Sequence, residues 1–495
     1  NVTLPAVISD NMVLQSGKPL PIWGWADPGE EVKVSLEGVT ATATADAHGN
    51  WSVRLPARKA SRSPVSMIVA GKNSITVQNI LVGEVWLGSG QSNMQWSVQA
   101  SSNAQQEIAD ANHPEIRLFL VPLVPSGKPA RNVNARWVVC TPQSVPTFSA
   151  VLYFFGREIH KSLDVPVGLI ATSWGGTRIE PWIPPAGFEG IPELANEVTE
   201  LRKSLAAHKE ARIAHLKAVK AWVEESERLA AAGHELADPP AVPNHPLHSN
   251  GARTGLYNGM VHALVPFAIQ GALWYQGESN RGQGMYYYQL MRGLITGWRK
   301  VWSQEGDFAF LFVQLAPFRY GNNPTWLPEI WEAQTAALAV PNTGMAVTTD
   351  IATVADIHPP NKQDVGKRLA LWALAYTYGK KEIVYSGPLY EDSTVEQGKI
   401  RIRFKHAAGG LAARDGKALN WFSIAGEDKK FVAATAVIDG ETVLVSAPGV
   451  SKPVAVRFGW HETAEPNLVN KAGLPASPFR TDRWTDAINA DLAGR

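Results

Sequence analysis

The chain has 495 residues, 45% of them hydrophobic and 18% charged, a balance that excludes a disordered, collagen-like or coiled-coil protein. At roughly 150 residues per domain, the length predicts about three domains around a sizeable core. Lys and Arg number 46 against 45 Asp and Glu, for a net charge of +1, and Cys140 is the single cysteine. No nucleic-acid stripe, charge-driven membrane partner, disulfide framework or Cys-based zinc site is therefore expected.

Residues 1–80 read as an N-terminal β domain. Val32, Val34 and Leu36 alternate with polar neighbours, the period of a half-buried strand, and Asp-Pro-Gly and His-Gly-Asn clusters supply the turns. Residues 81–384 alternate apolar strand-like runs with helical stretches, which predicts an α/β domain built on a parallel sheet. The runs are Val82–Leu87, Val167–Thr172, Ala268–Tyr275, Phe308–Leu315 and Met345–Thr349. Residues 190–248 interrupt this pattern. Glu193 to Ala232 contains no Pro or Gly and reads as a long helix or helical hairpin, followed by a Pro- and His-containing loop. Between Arg253 and Glu278 there is no Asp, Glu, Lys or Arg, a length that could span a bilayer. Asn258, His262, Pro266, Gln270 and the glycines at 255, 259 and 271 make it instead a buried helix, a proline break and a buried strand. Residues 385–460 return to β texture, as in Lys399–Phe404, and form a second β domain. A tail, 461–495, packs back on the core and ends in a short helix-like stretch. The chain starts at Asn1 rather than Met, so its numbering is expected to be that of a processed or trimmed product.

Four short blocks carry chemistry. In the first, Gly83 to Met94, an apolar strand runs into Gly88-Ser89-Gly90-Gln91-Ser92. A nucleophile needs such a place, a tight turn at a strand's carboxyl end with backbone N–H groups free. Met94 breaks the G-x-S-x-G elbow and no Gly-Lys-Ser/Thr follows, which disfavours an ordinary α/β-hydrolase and excludes a P-loop. The plain alternative is Ser92 as a helix N-cap. The second block, Ser173 to Arg178, places Gly175 and Gly176 at the end of another strand, where paired glycines let backbone approach a ligand. The third, Trp274 to Asn280, offers Gln276, Glu278 and Asn280 after a third strand; a salt bridge from Glu278 to Arg178 or Arg319 is the competing reading. The fourth, Asp350 to Ala370, contains His358 in a proline-rich loop, with Asp356 two residues earlier as a candidate to orient it. A histidine there suits general-base work near neutral pH, or is simply a surface residue. A metal reading of Asp356, His358 and Asp364 has no supporting spacing. Four polar blocks after successive strands fit one constellation, with serine first and histidine last.

These blocks resemble those of the sialate O-acetylesterase-like branch of the SGNH (GDSL-type) hydrolases. GQSNM at 90–94, SWGGTRIEPW at 173–182, WYQGESN at 274–280 and DIHPPNKQDVGKRLA at 356–370 carry the resemblance, together with the opening ISDNMVLQSGKPLPIWGWADPGEEV. It implies a three-layer α/β/α parallel sheet with accessory β-sandwich, jelly-roll-like regions at both ends and a helical insertion. It also implies Ser92 as nucleophile and His358 as base. The oxyanion hole would be the Ser92 N–H, a Gly175 or Gly176 N–H, and a side-chain amide. The broader pattern has G-x-N-D in the third block, but Ser279 holds the asparagine position here, so the amide role moves to Gln276. The usual aspartate three residues before the histidine is replaced by Ala355, which leaves Asp356 as third member of a triad or a Ser–His dyad.

The resemblance implies a serine carbohydrate O-acetylesterase, acting on acetylated xylan or xyloglucan or on O-acetylated sialic acid. No metal or organic cofactor is expected, and a periplasmic or secreted location is. Eighteen tryptophans beside 42 glycines suit loops that grip sugar rings, though core packing competes for each. Trp174, Trp182, Tyr275, Arg178, Glu278 and Asn280 are the candidate substrate contacts. Two other readings stay open: a non-catalytic glycan-binding protein with a decayed centre, and a lipid or thioester hydrolase of the same superfamily. The oligomeric state is left open.

Overall fold

The computed structural model describes residues 1–303 and 306–484; the helix-like end expected for the tail lies outside the described residues. The centre is one large sheet. Along its main path the strands run Thr343–Ala346, Ala309–Val313, Gly271–Tyr275, Ser74–Gly90, Val167–Ser173, His113–Leu120 and Trp137–Cys140. All neighbours on this path are parallel except the last pair. The five apolar runs of the sequence overlap five of these strands and are buried there, as parallel strands flanked by helices are; His113–Leu120 and Trp137–Cys140, outside those runs, are only partly buried.

Strand Ser74–Gly90 organises the molecule. Its first residues alternate between exposed and buried, and from Ile80 onward every residue is buried. The amino-terminal part pairs antiparallel with Ser61–Ala70, while the carboxyl part pairs parallel with Val167–Ser173 and Gly271–Tyr275. Asn79, in the left-handed region at φ 55°, marks the change, a conformation asparagine tolerates. One continuous strand thus passes through positions 80 and 81. The N-terminal strands share a hydrophobic core with the central sheet, Val34 and Met67 belonging to the same cluster as Trp86.

Helices cover both faces. Leu152 of helix Ala150–Leu163 lies against Gly88 on one face. On the other, Trp298 of helix Tyr286–Trp302 meets Trp274 edge-on, ring centres 6.4 Å apart. Helix Lys362–Trp372, which follows the histidine loop, packs on Ala150–Leu163 at Gly366. A Cβ there would sit 2.7 Å from the Phe155 nitrogen and 2.9 Å from the Val151 oxygen. The long helical stretch of the insertion is one helix, Ala195–Ala231, with Leu201 its buried residue. Its first turn is tied down at Glu197, which pairs with Arg253 and accepts a hydrogen bond from the Tyr286 hydroxyl at 2.9 Å. The charge-free stretch forms the short helical turns Tyr257–Val261 and His262–Leu264 and then strand Gly271–Tyr275. Among the described residues, no helix is long and apolar enough to cross a membrane.

From residue 389 onward two four-stranded antiparallel sheets enclose a second core. In Lys399–Lys405 the alternation is complete, with Ile400, Ile402 and Phe404 buried.

Gly366→Ala should overpack the seam between the two helices that seats the histidine loop. A loss of about 1–3 kcal/mol is expected, read as a lower urea midpoint at unchanged slope.

Candidate active site

Three of the four blocks meet because three strands end at one level. Ser173 and Tyr275 both pair with Gly90 across the sheet. The loops are then cross-tied: the Gln91 N–H donates to the Tyr275 carbonyl and the Trp174 N–H to the Gly90 carbonyl, each at 3.0 Å. Gly90 is at φ 139°, and a Cβ would lie 2.2 Å from the Tyr275 oxygen, so only glycine lets the chain turn there. The short helix Ser92–Gln95 starts immediately afterwards with Gln91 as its N-cap. Ser92 is therefore the first helical residue and not the cap.

The Ser92 Oγ lies 2.8 Å from His358 Nε2. The imidazole is stacked on Trp96, ring centres 4.7 Å apart and planes 17° from parallel. The indole fixes the ring plane, and its own N–H donates to the Ala100 carbonyl at 2.8 Å. His358 titrates below the ordinary histidine value, because burial disfavours the imidazolium and Lys362 adds a positive charge; Asp356 opposes both. A neutral imidazole beside a serine hydroxyl is the arrangement of a general base and its nucleophile.

Asp356 does not take the orienting role expected of it. Its carboxylate accepts the backbone N–H of His358 at 2.8 Å, which shapes the loop, and among the described residues no hydrogen bond reaches His358 Nδ1. Asp364 is likewise structural: its N–H donates to the Asn361 side chain, and its carboxylate accepts from the Asn361 amide, at the start of helix Lys362–Trp372.

Gly175 lies against the serine, since a Cβ on it would be 3.3 Å from the Ser92 Cβ. Its N–H donates to Gln95 Oε1 at 2.7 Å. Gly176 is in the left-handed region, at φ 73°. Gln276 is a correction. It is wholly buried, and its amide donates to Gln91, Thr177 and Asn280 while its oxygen accepts from Tyr287. With both groups occupied inside the protein, it has no donor to offer an oxyanion.

Burial also corrects three substrate candidates, Trp182, Tyr275 and Asn280. Trp182 and Tyr275 are 0% and 1% exposed and belong to the core. Asn280 is 1% exposed and saturated, receiving the Ile179 N–H and the Gln276 amide and donating to Glu180 and Gln283. Glu278 accepts from Asn93 at 2.6 Å, and its second oxygen is enclosed without a partner. It pairs with neither Arg178 nor Arg319. Arg178 is bound to Glu180 by contacts of 2.7 and 3.2 Å. Trp174 remains partly exposed beside the serine loop.

Trp96, Asn93 and Lys362 escape a reading by motif alone. For Lys362 a signal exists: it shares a helical face with the buried Val365, Gly366 and Leu369, and a lysine on an apolar face at that spacing marks a buried charge.

Residues 241–375 match the family model described as "carbohydrate esterase, sialic acid-specific acetylesterase". The chain is 31% identical over 429 residues to the sialate O-acetylesterase of Rattus norvegicus, covering 77% of this chain and 74% of that protein. Against the Homo sapiens sialate O-acetylesterase it is 29% identical, covering 78% and 72%. Among solved structures, a carbohydrate acetylesterase from Xanthomonas citri superposes with a TM-score of 0.82 at 36% identity, covering 98% of this chain and 100% of that one. A serine and histidine in contact at the meeting point of three strand ends, in a chain with these relatives, place the protein in the sialate O-acetylesterase family of carboxylic ester hydrolases.

Proposed function

We propose that the protein removes acetyl groups from glycans through an acetyl-serine intermediate, on an SGNH-type α/β/α domain flanked by β regions. The observation that carries this reading is the 2.8 Å contact between Ser92 Oγ and His358 Nε2. In the first half-reaction His358 Nε2 takes the Ser92 proton and Oγ bonds to the acetyl carbon. The oxyanion is met by the Ser92 N–H, which has no acceptor within its own first helical turn, and by a glycine N–H of the second block. Gly176 supplies that donor unless Gln95 releases Gly175. The tetrahedral species collapses as the sugar oxygen leaves with the proton from His358. Water then attacks the acetyl-serine by the same route, restoring Ser92 and releasing acetate.

Asp356 is read as a brace for the loop, and Ser92 and His358 as a dyad whose ring is held by Trp96. The pairing of Arg178 with Glu180 supports a neutral hemicellulose, xylan or xyloglucan, over sialic acid, because that cation is already neutralised. Beside the His358 loop, Phe318, Arg319, Thr353, Val354 and Glu465 line an open groove of about 600 Å³, a size that accepts sugar rings of a longer chain. Such a substrate supports a periplasmic or secreted location.

Ser92→Ala should keep the fold and lower acetate release by a factor on the order of 10⁴–10⁶. The assay pairs acetylated xylan, acetylated xyloglucan and O-acetylated sialic acid; release from sialic acid alone would overturn the neutral-glycan reading. Asp356→Ala should cost about tenfold, the loss of one hydrogen bond, against about 10⁴ for a triad carboxylate. Because the neutral imidazole is the active form and its proton affinity is lowered, the acid limb of kcat/KM should fall below the usual histidine value of about 6.5.

A further inference from the structure

Behind the Ser92–His358 pair lies a buried charged group that the acyl-transfer steps do not use. The Asn93 side chain is its centre. The Asn93 amide donates to Glu278 Oε1 at 2.6 Å and to the Ile357 carbonyl, one residue before His358, at 3.0 Å. The Asn93 oxygen accepts from Lys362 Nζ at 2.5 Å. One amide thus joins the serine block, the third block, the peptide that carries His358 and the helix that follows it. Lys362 is 0% exposed, and its ammonium lies 5.4 Å from the Tyr275 ring centre and 6.0 Å from that of Trp96.

A lysine closed off in this way is costly, and a fold that needed only packing would be served better by an apolar side chain. We propose that Lys362, clamped through Asn93 to Glu278 and to the peptide before His358, is a positioning residue. It holds the imidazole against Ser92 and sets how readily that ring takes a proton. The proposal rests on the reading of Ser92 and His358 as the hydrolytic pair.

The groups facing Lys362 are the Glu278 and Asp356 carboxylates, the Asn93 oxygen, the His358 ring and the two aromatic faces. Burial pulls Lys362 down to about 7, against Glu278 and Asp356, which favour its charge. Burial raises Glu278, against its hydrogen bonds and Lys362. His358 faces Ser92, Trp96, Asp356 and Lys362. In the pH range where His358 titrates, Lys362 is largely charged and opposes the imidazolium. Taking that charge away makes His358 protonate at higher pH, so the acid limb must move up.

The test is kcat/KM against pH for release of acetate from 4-nitrophenyl acetate, with circular dichroism to establish folding. Lys362→Met should move the acid limb upward by roughly one pH unit. Lys362→Arg, which keeps the charge but not the ammonium's fit to Asn93, should lower kcat and leave the limb in place. Glu278→Gln lets Lys362 lose its proton earlier and should give a smaller upward move. A folded Lys362→Met with an unmoved limb overturns the inference. If that variant does not fold, an unmoved limb in Glu278→Gln does so. A wild type that releases no acetate from this ester or from the glycans fails the acetylesterase reading itself, and is thereby distinguished.

Discussion

The register of three parallel strands is the constraint on which the site depends. Side chains in a sheet repeat every two residues, so a slip of one position would turn every buried side chain to the wrong face. With Trp86, Leu169 and Leu273 buried in the core, register is firmly set, and Gly90, Ser173 and Tyr275 finish level with one another. Strand order also departs on both sides of Ser74–Gly90, since later strands are laid down first to one side and then to the other. A crevice at the carboxyl ends is the geometric result, and it is where open α/β sheets take their ligands. Distant segments, near residues 92, 175 and 277, become neighbours without any long loop having to reach across.

That crevice is lined by polar groups that the protein has mostly satisfied from within. Gln91, Gln276 and Asn280 hydrogen-bond to one another's loops. They lock three turns that contain unusual glycine conformations, Gly90 at φ 139° and Gly277 at φ 152°. Buried polar networks of this kind rigidify when every member is paired. Rigidity matters here because a serine hydroxyl and an imidazole act together only within a narrow distance, and small misplacements carry a large cost in rate. Trp96 serves the same end through apolar contact, holding the imidazole plane where, among the described residues, no carboxylate hydrogen-bonds its far nitrogen.

The sheet and its strand ends were legible because parallel strands buried on both faces leave long apolar runs, and glycine-rich turns follow them. The second β region was legible for the opposite reason, the strict alternation of Ile400, Ile402 and Phe404. The Ser92–His358 pairing followed from block order and resemblance. Individual polar roles did not. Gln276 and Asn280 have the chemistry of ligand contacts, and only their burial reveals that each donor is already occupied. Asp356 sits at a spacing that permits either a ring or a backbone partner, and a sequence does not distinguish them. Position 80/81 looked like a boundary because composition changes there. The change is real, but it marks where one strand passes from a half-exposed sheet into a fully buried one.

The same burial explains why the four blocks identify a family more sharply than a substrate. Most of their polar residues face inward, where they maintain turns, register and the serine–histidine distance, and such demands are common to any ester cleaved by this pair. The atoms that meet a sugar must be exposed, and few residues of the blocks are. Trp174 is partly exposed, Arg178 is tied to Glu180, and a groove is walled by the start of the fourth block near 353, by the loop near 318 and by Glu465 after the second β region. Glu465 comes from the C-terminal part of the chain, so that part does more than flank the central sheet: it lines a groove together with residues 352–355, shortly before His358. Choice among glycans can then vary with those loops while the buried chemistry beneath them stays the same.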